Sequence, residues 1–335
     1  MTSARSRKRP RSTNDTARRG AVGKPRWLWP AVGFAAVAVA ALAVAIVATR
    51  VGDDTPSLRA GSQAGPGKGA DRELSQIRTN DFHSMAMSPT DRNLILYGHH
   101  GGVLRSTDGG RTWNKTNLTG ETDDVMGMGV SGIEPNLVYA AGHDTFFKSI
   151  DTGKTWTKMK PELPGTDIHG MSVATDNPRR LYANVGRFGF FRSEDGGATW
   201  VKANTQPFQG DVIQVSASRA NVVFVASVGS GVLRSDDAGA NFRPTGKLRG
   251  AVLAVAVHAT DSSVVYAGTE SGFWASGDGG ATWTERTPPD GGQAMVTAVS
   301  PIDPRDVVVV MIRDDRVGHV FRSGDGGVTW TTAQP

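Results

Sequence analysis

Two hydrophobic patterns alternate with polar chain in this sequence. The first is continuous. Residues Trp27 to Ala48 carry no charge, and 22 residues at 1.5 Å each make a helix of about 33 Å, enough to cross a bilayer core. The second is broken into short runs with period two, as in HSMAM (83–87), MGMGV (126–130), HGMSV (169–173), IQVSA (213–217), LAVAV (253–257) and MVTAV (295–299). Each is followed by a β-branched or aromatic run of the LILY (94–97) or VVFVA (222–226) type, then by a third run of the GVLRS (102–106) type. Gly, Asp and Pro bound these segments, so the pattern predicts strands and tight turns.

The third run always leads into one octapeptide: STDGGRTW (106–113), SIDTGKTW (149–156), SEDGGATW (193–200), SDDAGANF (235–242), SGDGGATW (276–283) and SGDGGVTW (323–330). Six copies 41 to 47 residues apart define a repeat. A fourth strand is expected to start at the motif's final Trp or Phe. A four-stranded unit of about 43 residues, repeated, is a β-propeller blade. The expected fold class is therefore all-β, a six-bladed β-propeller over 79–335, preceded by a single N-terminal transmembrane helix. The expected divisions are a basic cytoplasmic tail (1–26), the transmembrane helix (27–49), a flexible linker (50–78) and the propeller.

The octapeptides resemble the Asp-box, or BNR repeat, S-x-D-x-G-x-T-W. That motif occurs in sialidases, xyloglucan-degrading two-propeller hydrolases, sortilin-type receptors and the photosystem II assembly propeller. The chain most resembles small bacterial propellers assigned to the glycosyl hydrolases. The resemblance implies the fold; because the motif serves enzymes, receptors and assembly factors alike, it leaves function open. A sialidase of this type would need a Tyr nucleophile, three Arg and an Arg-Ile-Pro motif. The four Tyr all fall in second-strand runs and that motif is missing, so sialidase chemistry is disfavoured.

Charge and composition refine the picture. The formal charge is +5, but residues 1–26 hold nine basic residues against one acid, so the remainder is slightly acidic. A basic tail before the apolar span and Asp53 and Asp54 after it orient the span with its N-terminus inside. The propeller is then extracytoplasmic. Release after signal cleavage is the alternative, although a signal's apolar region is usually shorter, ~7–15 residues. Without a basic body, nucleic acid is not an expected partner. Cysteine is absent, which excludes disulfides, thiolate metal sites and thiol catalysis.

Candidate chemistry lies away from the Asp-boxes, whose carboxylates recur in every blade and are expected to close turns. At the opposite blade end, the first strand is preceded by Asp81, Asp124, Asp167 and Asp211 in blades 1 to 4, then by Ala251 and Gln293. His83 and His169 follow two residues after their Asp, on the same strand face. One position in the turn between second and third strands holds His100, His143, Arg187, Gly229, Glu270 and Val317. The candidate ligand-binding residues are Asp81, His83, His100, His143, His169, Arg187, Phe188 and Glu270, with Phe188 offering a stacking surface. A divalent metal is a candidate cofactor, at His83, His169 and His100. The bland alternative is that each Asp caps its strand and each His bonds its neighbour. The preferred function is capture of a cell-envelope glycan or protein on this face. The other is glycoside hydrolysis by paired carboxylates, with Asp167, Asp211 and Asp124 as catalytic candidates.

Overall fold

The computed structural model describes residues 73–330 apart from residues 80, 119, 121, 122, 206, 207 and 220. The basic tail, the apolar span and residues 50–72 lie outside the described residues, as do residues 331–335. Among the described residues no helix is long and apolar enough to cross a membrane.

Six four-stranded antiparallel sheets make up the ring. In blade 3 the strands are Ile168–Val173, Leu181–Val185, Gly189–Ser193 and Val201–Lys202, running from the axis outwards in chain order. The innermost strands of the other blades are Ser84–Met87, Gly127–Val130, Val212–Ala217, Val252–Val257 and Gln293–Val299. They pack side by side around the axis, the last against the first. The second strands are buried over all or nearly all of their length, for example Leu181–Val185 and Val223–Ser227. That is why they read as continuous β-branched and aromatic runs. The outermost strands of blades 1 to 5 are two exposed residues each, and begin one residue after the motif's Trp or Phe.

The inner strands approach closely where side chains are small. A Cβ on Gly127 would lie 2.2 Å from the Met171 amide nitrogen, and one on Gly129 would lie 2.5 Å from that of Val173. What remains along the axis is a cavity of about 90 Å³, lined by the inner strands of all six blades.

Blade 6 departs from the expected pattern. Its three chain-order strands are Gln293–Val299, Val307–Ile312 and Gly318–Ser323, and its outermost strand is Ser75–Ile77. Ser75 pairs with Val320, Gln76 with His319 and Ile77 with Gly318. The segment expected to be linker up to residue 78 therefore enters the ring. Leu74 and Ile77 are buried among Val310, Val320 and Trp113, and burying two large aliphatic side chains is reason enough for this segment to order. The seam it closes is also polar. Arg322 donates to Asp306 at 2.8 and 2.7 Å and to the Arg92 carbonyl of blade 1 at 2.9 Å, while Arg92 donates to Asp306 at 3.0 Å. His319 lies between Glu73 at 2.6 Å and Asp315 at 3.0 Å.

The Asp-boxes close turns, as expected. In blade 3 Ser193 Oγ donates to Asp195 Oδ1 at 2.8 Å and accepts from the Gly197 amide at 2.9 Å. Asp195 accepts from the Thr199 amide at 2.9 Å and from its hydroxyl at 2.6 Å. In blade 4 Asn241 takes the threonine's place, and its side-chain amide donates to Asp237 at 2.7 Å. These bonds hold Asp195 down at about 2, chiefly through the Thr199 hydroxyl and amide.

Candidate functional site

Antiparallel pairing puts the start of each inner strand beside the turn between its second and third strands, at the blade end opposite the Asp-box. In blade 1 this turn is His99–Gly102, and Asp81 caps it by accepting from the His100 amide at 2.9 Å. In blade 2 Asp124 does the same for the His143 amide at 3.1 Å. Each carboxylate also meets the imidazole of its own turn. Asp81 Oδ2 contacts His100 Nδ1, and Asp124 Oδ2 lies 2.6 Å from His143 Nδ1. The bland expectation of strand capping is thus met, and the same carboxylates orient two histidines.

The contacts continue across blade boundaries. His100 Nε2 lies 3.5 Å from Asp124 Oδ1 of blade 2. His143 Nε2 lies 3.1 Å from Asp167 Oδ1 of blade 3. At one end His83 Nε2 is 3.0 Å from His100 Nε2 and 3.7 Å from Asp81 Oδ1. At the other, His169 Nε2 is 3.0 Å from His143 Nε2 and 2.8 Å from Asp167 Oδ1. Three carboxylates and four imidazoles form one continuous row over blades 1 to 3.

His169 reaches the row through a β-bulge. The register of the first two strands of blade 3 shifts between Ile168 and Met171, and Gly170 has φ of 76°. A bulge re-aims side chains. Blades 4 to 6 carry the same bulge at Ile213, Leu253 and Met295, so only blade 3 uses it to present a histidine.

Burial and charge differ along the row. Asp81 and Asp124 are buried, His83 and His169 are partly exposed, and the Asp167 side chain is 56% exposed. Burial brings the His83 imidazole down to about 4, against the pull of Asp81. The bonds to Asp81 and Asp124 raise His100 and His143 above the ordinary imidazole value. Burial alone would raise the two carboxyls; hydrogen bonds from His100 and His143 and nearby imidazole charge outweigh it, and both end below the usual carboxylate range. Asp124 Oδ1 is buried and has no hydrogen-bond partner among the described residues.

Not every candidate joins the row. Asp211 is exposed, and the turn of blade 3, next to it around the ring, carries Arg187 where the two preceding turns have histidine. Asp124 and Asp167 are joined through His143, and among the described residues no ion pair joins Asp211 to them. Nor do His83, His100 and His169 surround one point: His83 groups with His100 and Asp81, whereas His169 groups with His143 and Asp167, a residue the candidate metal set left out. Arg187 lies over the Phe188 ring at 5.9 Å, on a short 3-10 turn at Gly186–Phe188. Glu270 is exposed on blade 5. The triad of Glu73, His319 and Asp315 escaped sequence reasoning, because Glu73 belongs to a segment read as linker.

A closed six-bladed ring with Asp-box turns at one end and a blade-specific polar row at the other defines an Asp-box β-propeller. The family follows from the sequence of the first four blades: the model for the photosynthesis system II assembly factor YCF48 matches residues 73–244, just over half of the chain, and the chain belongs to that family. No curated protein matches the sequence. Among solved structures, a GH74 xyloglucanase from Xanthomonas campestris is 18% identical with a TM-score of 0.53, covering 77% of this chain and 46% of the xyloglucanase. The chain thus spans less than half of that enzyme. YCF48 from Cyanidioschyzon merolae is 18% identical with a TM-score of 0.50, covering 77% and 87%. The WD40 repeats of RRP9 are 10% identical with a TM-score of 0.52, covering 82% and 84%. At these identities the likeness is one of fold.

Proposed function

We propose that this chain is a binding module, held at the outer face of a membrane by residues 27–49, that captures a cell-envelope protein or glycan at the mouth of its propeller. The observation that carries this reading is the row from His83 to His169. It is built on a repeated scaffold from histidines that only blades 1 to 3 carry at these positions, and it lies where turns from neighbouring blades converge on a rigid ring. The family's name, and the glycan-degrading activity named for a fold neighbour, are compatible with either class of ligand. The uncharged span and the basic tail before it support the tether and its orientation.

The hydrolase reading draws less support. A glycosidase needs a carboxyl raised enough to act as general acid. Asp81 and Asp124 are shifted the other way and are engaged by imidazoles.

A photo-crosslinking residue at Phe188, exposed beside the row, tests the binding reading in cells. Adducts are expected from Phe188 and not from Ile150, exposed in an Asp-box at the other end. They should diminish in His100→Ala with His143→Ala. Equal adducts from both ends, or none, would count against the mouth as the binding surface. Protease added to intact cells should cleave the propeller or its tether and spare the tail; a soluble form beginning after residue 45 would show cleavage instead.

A further inference from the structure

We propose that the blade 2–blade 3 end of the row is a binding site for a first-row divalent transition-metal ion, held by His143 Nε2, His169 Nε2 and Asp167 Oδ1. These atoms form a triangle with edges of 3.0, 2.8 and 3.1 Å. An ion ~2.0–2.2 Å from each donor fits over such a triangle. Edges near 3 Å subtend angles near 90° at that ion, so the three donors cap one face of it and leave further positions for water or a bound molecule. Two imidazoles and one carboxylate on a single face suit iron, nickel, cobalt or zinc, and suit magnesium or calcium poorly, because those ions prefer oxygen ligands.

The tautomer supports the assignment. Asp124 Oδ2 lies 2.6 Å from His143 Nδ1. A carboxylate only accepts, so Nδ1 carries a proton, and whenever the ring is singly protonated its Nε2 lone pair faces His169 and Asp167. Opposed to another imidazole nitrogen at 3.0 Å and a carboxylate oxygen at 3.1 Å, that lone pair needs a cation or a proton between them. A carboxylate behind a metal-binding imidazole is the usual outer-shell arrangement, fixing the ring and raising its basicity. Asp124 is thus a positioning residue here. It is buried, its Oδ2 accepts from the His143 backbone amide, and its Oδ1 has no hydrogen-bond partner among the described residues.

The site is local to two blades. The pair His83 and His100 has its own carboxylate, Asp81, and lies on the other side of Asp124. The blade 3 bulge delivers His169, and the turn of blade 2 delivers His143. The inference concerns the surface proposed for partner capture but is measurable with no partner present, so metal can bind where no partner is found, and the reverse.

The test is calorimetric titration of Zn²⁺ and of Ni²⁺ into the full-length chain purified without a histidine tag, with Mg²⁺ as control. Saturable binding is expected for the first two and not for Mg²⁺. His169→Ala and His143→Ala should each remove one equivalent per chain, with circular dichroism and thermal melting to show that the ring is intact. Asp167→Asn, at an exposed position where folding is not at risk, should remove the same equivalent. Asp124→Asn should weaken that equivalent by about 10–100-fold. X-ray absorption at the metal edge should show two imidazoles in the wild type and one in His169→Ala. Unchanged stoichiometry in both His169→Ala and Asp167→Asn would overturn the assignment, as would loss of the ion on His83→Ala with retention in His169→Ala.

Discussion

Both ends of blades 1 to 4 carry an aspartate, yet the two sets of aspartates do different work. At one end Asp108, Asp151, Asp195, Asp237, Asp278 and Asp325 are saturated by their own turns, by a Ser hydroxyl, by backbone amides and by a Thr or Asn side chain. At the other, Asp81, Asp124 and Asp167 contact imidazoles, and two of those contacts cross from one blade to the next. A carboxylate whose acceptor capacity is used up within eight residues stabilises a turn and has little left for a ligand. A carboxylate with an unbonded oxygen beside a neighbour's imidazole still has coordination to offer. Repetition in all six blades marks the first kind, and its loss after blade 4 marks the second.

The broadest way to break this comparison is to remove what both ends share. Deleting residues 73–78 should unpair the outer edge of blade 6 and expose the seam to blade 1. Losing the buried Leu74 and Ile77 contacts at ~2–5 kcal/mol each should cost on the order of 4 kcal/mol or more, read as a large fall in melting temperature together with loss of binding at the mouth.

Acid should act next, on all six Asp-boxes together. Asp195 and Asp278 are held at about 2, below the ordinary 3.8, first by the Thr199 and Thr282 hydroxyls and then by backbone amides. Their folded values are depressed, so their contribution is fully present above the unfolded value and is lost as pH falls through the folded one. Denaturant melts between pH 4 and pH 2 should show stability falling across that window. A flat profile would mean that these turns do not depend on the ionised carboxyl.

A single turn is a smaller test. Ser193→Ala removes the acceptor for the Gly197 amide and should cost about 1–2 kcal/mol in denaturant unfolding, with metal titration unchanged. Abolished binding at unchanged stability would reverse the roles given to the two ends. The smallest expected effect on stability is at the mouth itself. Asp167→Asn, with its side chain largely in solvent, should stay within about 0.5 kcal/mol of wild type, while metal or partner binding falls.

Much of the ring was legible before any coordinates. Six octapeptides fix the blade count, period-two runs mark the first strands, and continuous β-branched or aromatic runs mark the buried second strands. The outer strand of blade 6 was not legible. Residues 75–77 are Ser-Gln-Ile in a polar stretch, and the reason they form a strand, pairing with 318–320, lies at the far end of the chain. At the site, Asp-x-His spacing was enough to pair Asp167 with His169, since i and i+2 share a strand face. The cross-blade contacts were not in reach of spacing alone. Asp124 to His100 and Asp167 to His143 depend on the step between neighbouring blades, so His143 and Asp167 were missing from the candidate metal set. Asp211 looked equivalent to Asp167, but the turn before it supplies Arg187.

The strand that completes blade 6 also dictates when the ring can close during synthesis. Glu73 and His319, which meet in the finished seam, are separated by 246 positions. At roughly 5–20 residues per second a ribosome takes about 12–50 s to cover that distance. For this interval five blades can form in order as they emerge, while the first strand made waits for the last sheet made. A nascent propeller therefore carries an unmatched strand edge in its last blade, and completion comes in one late step after the C-terminal repeat appears.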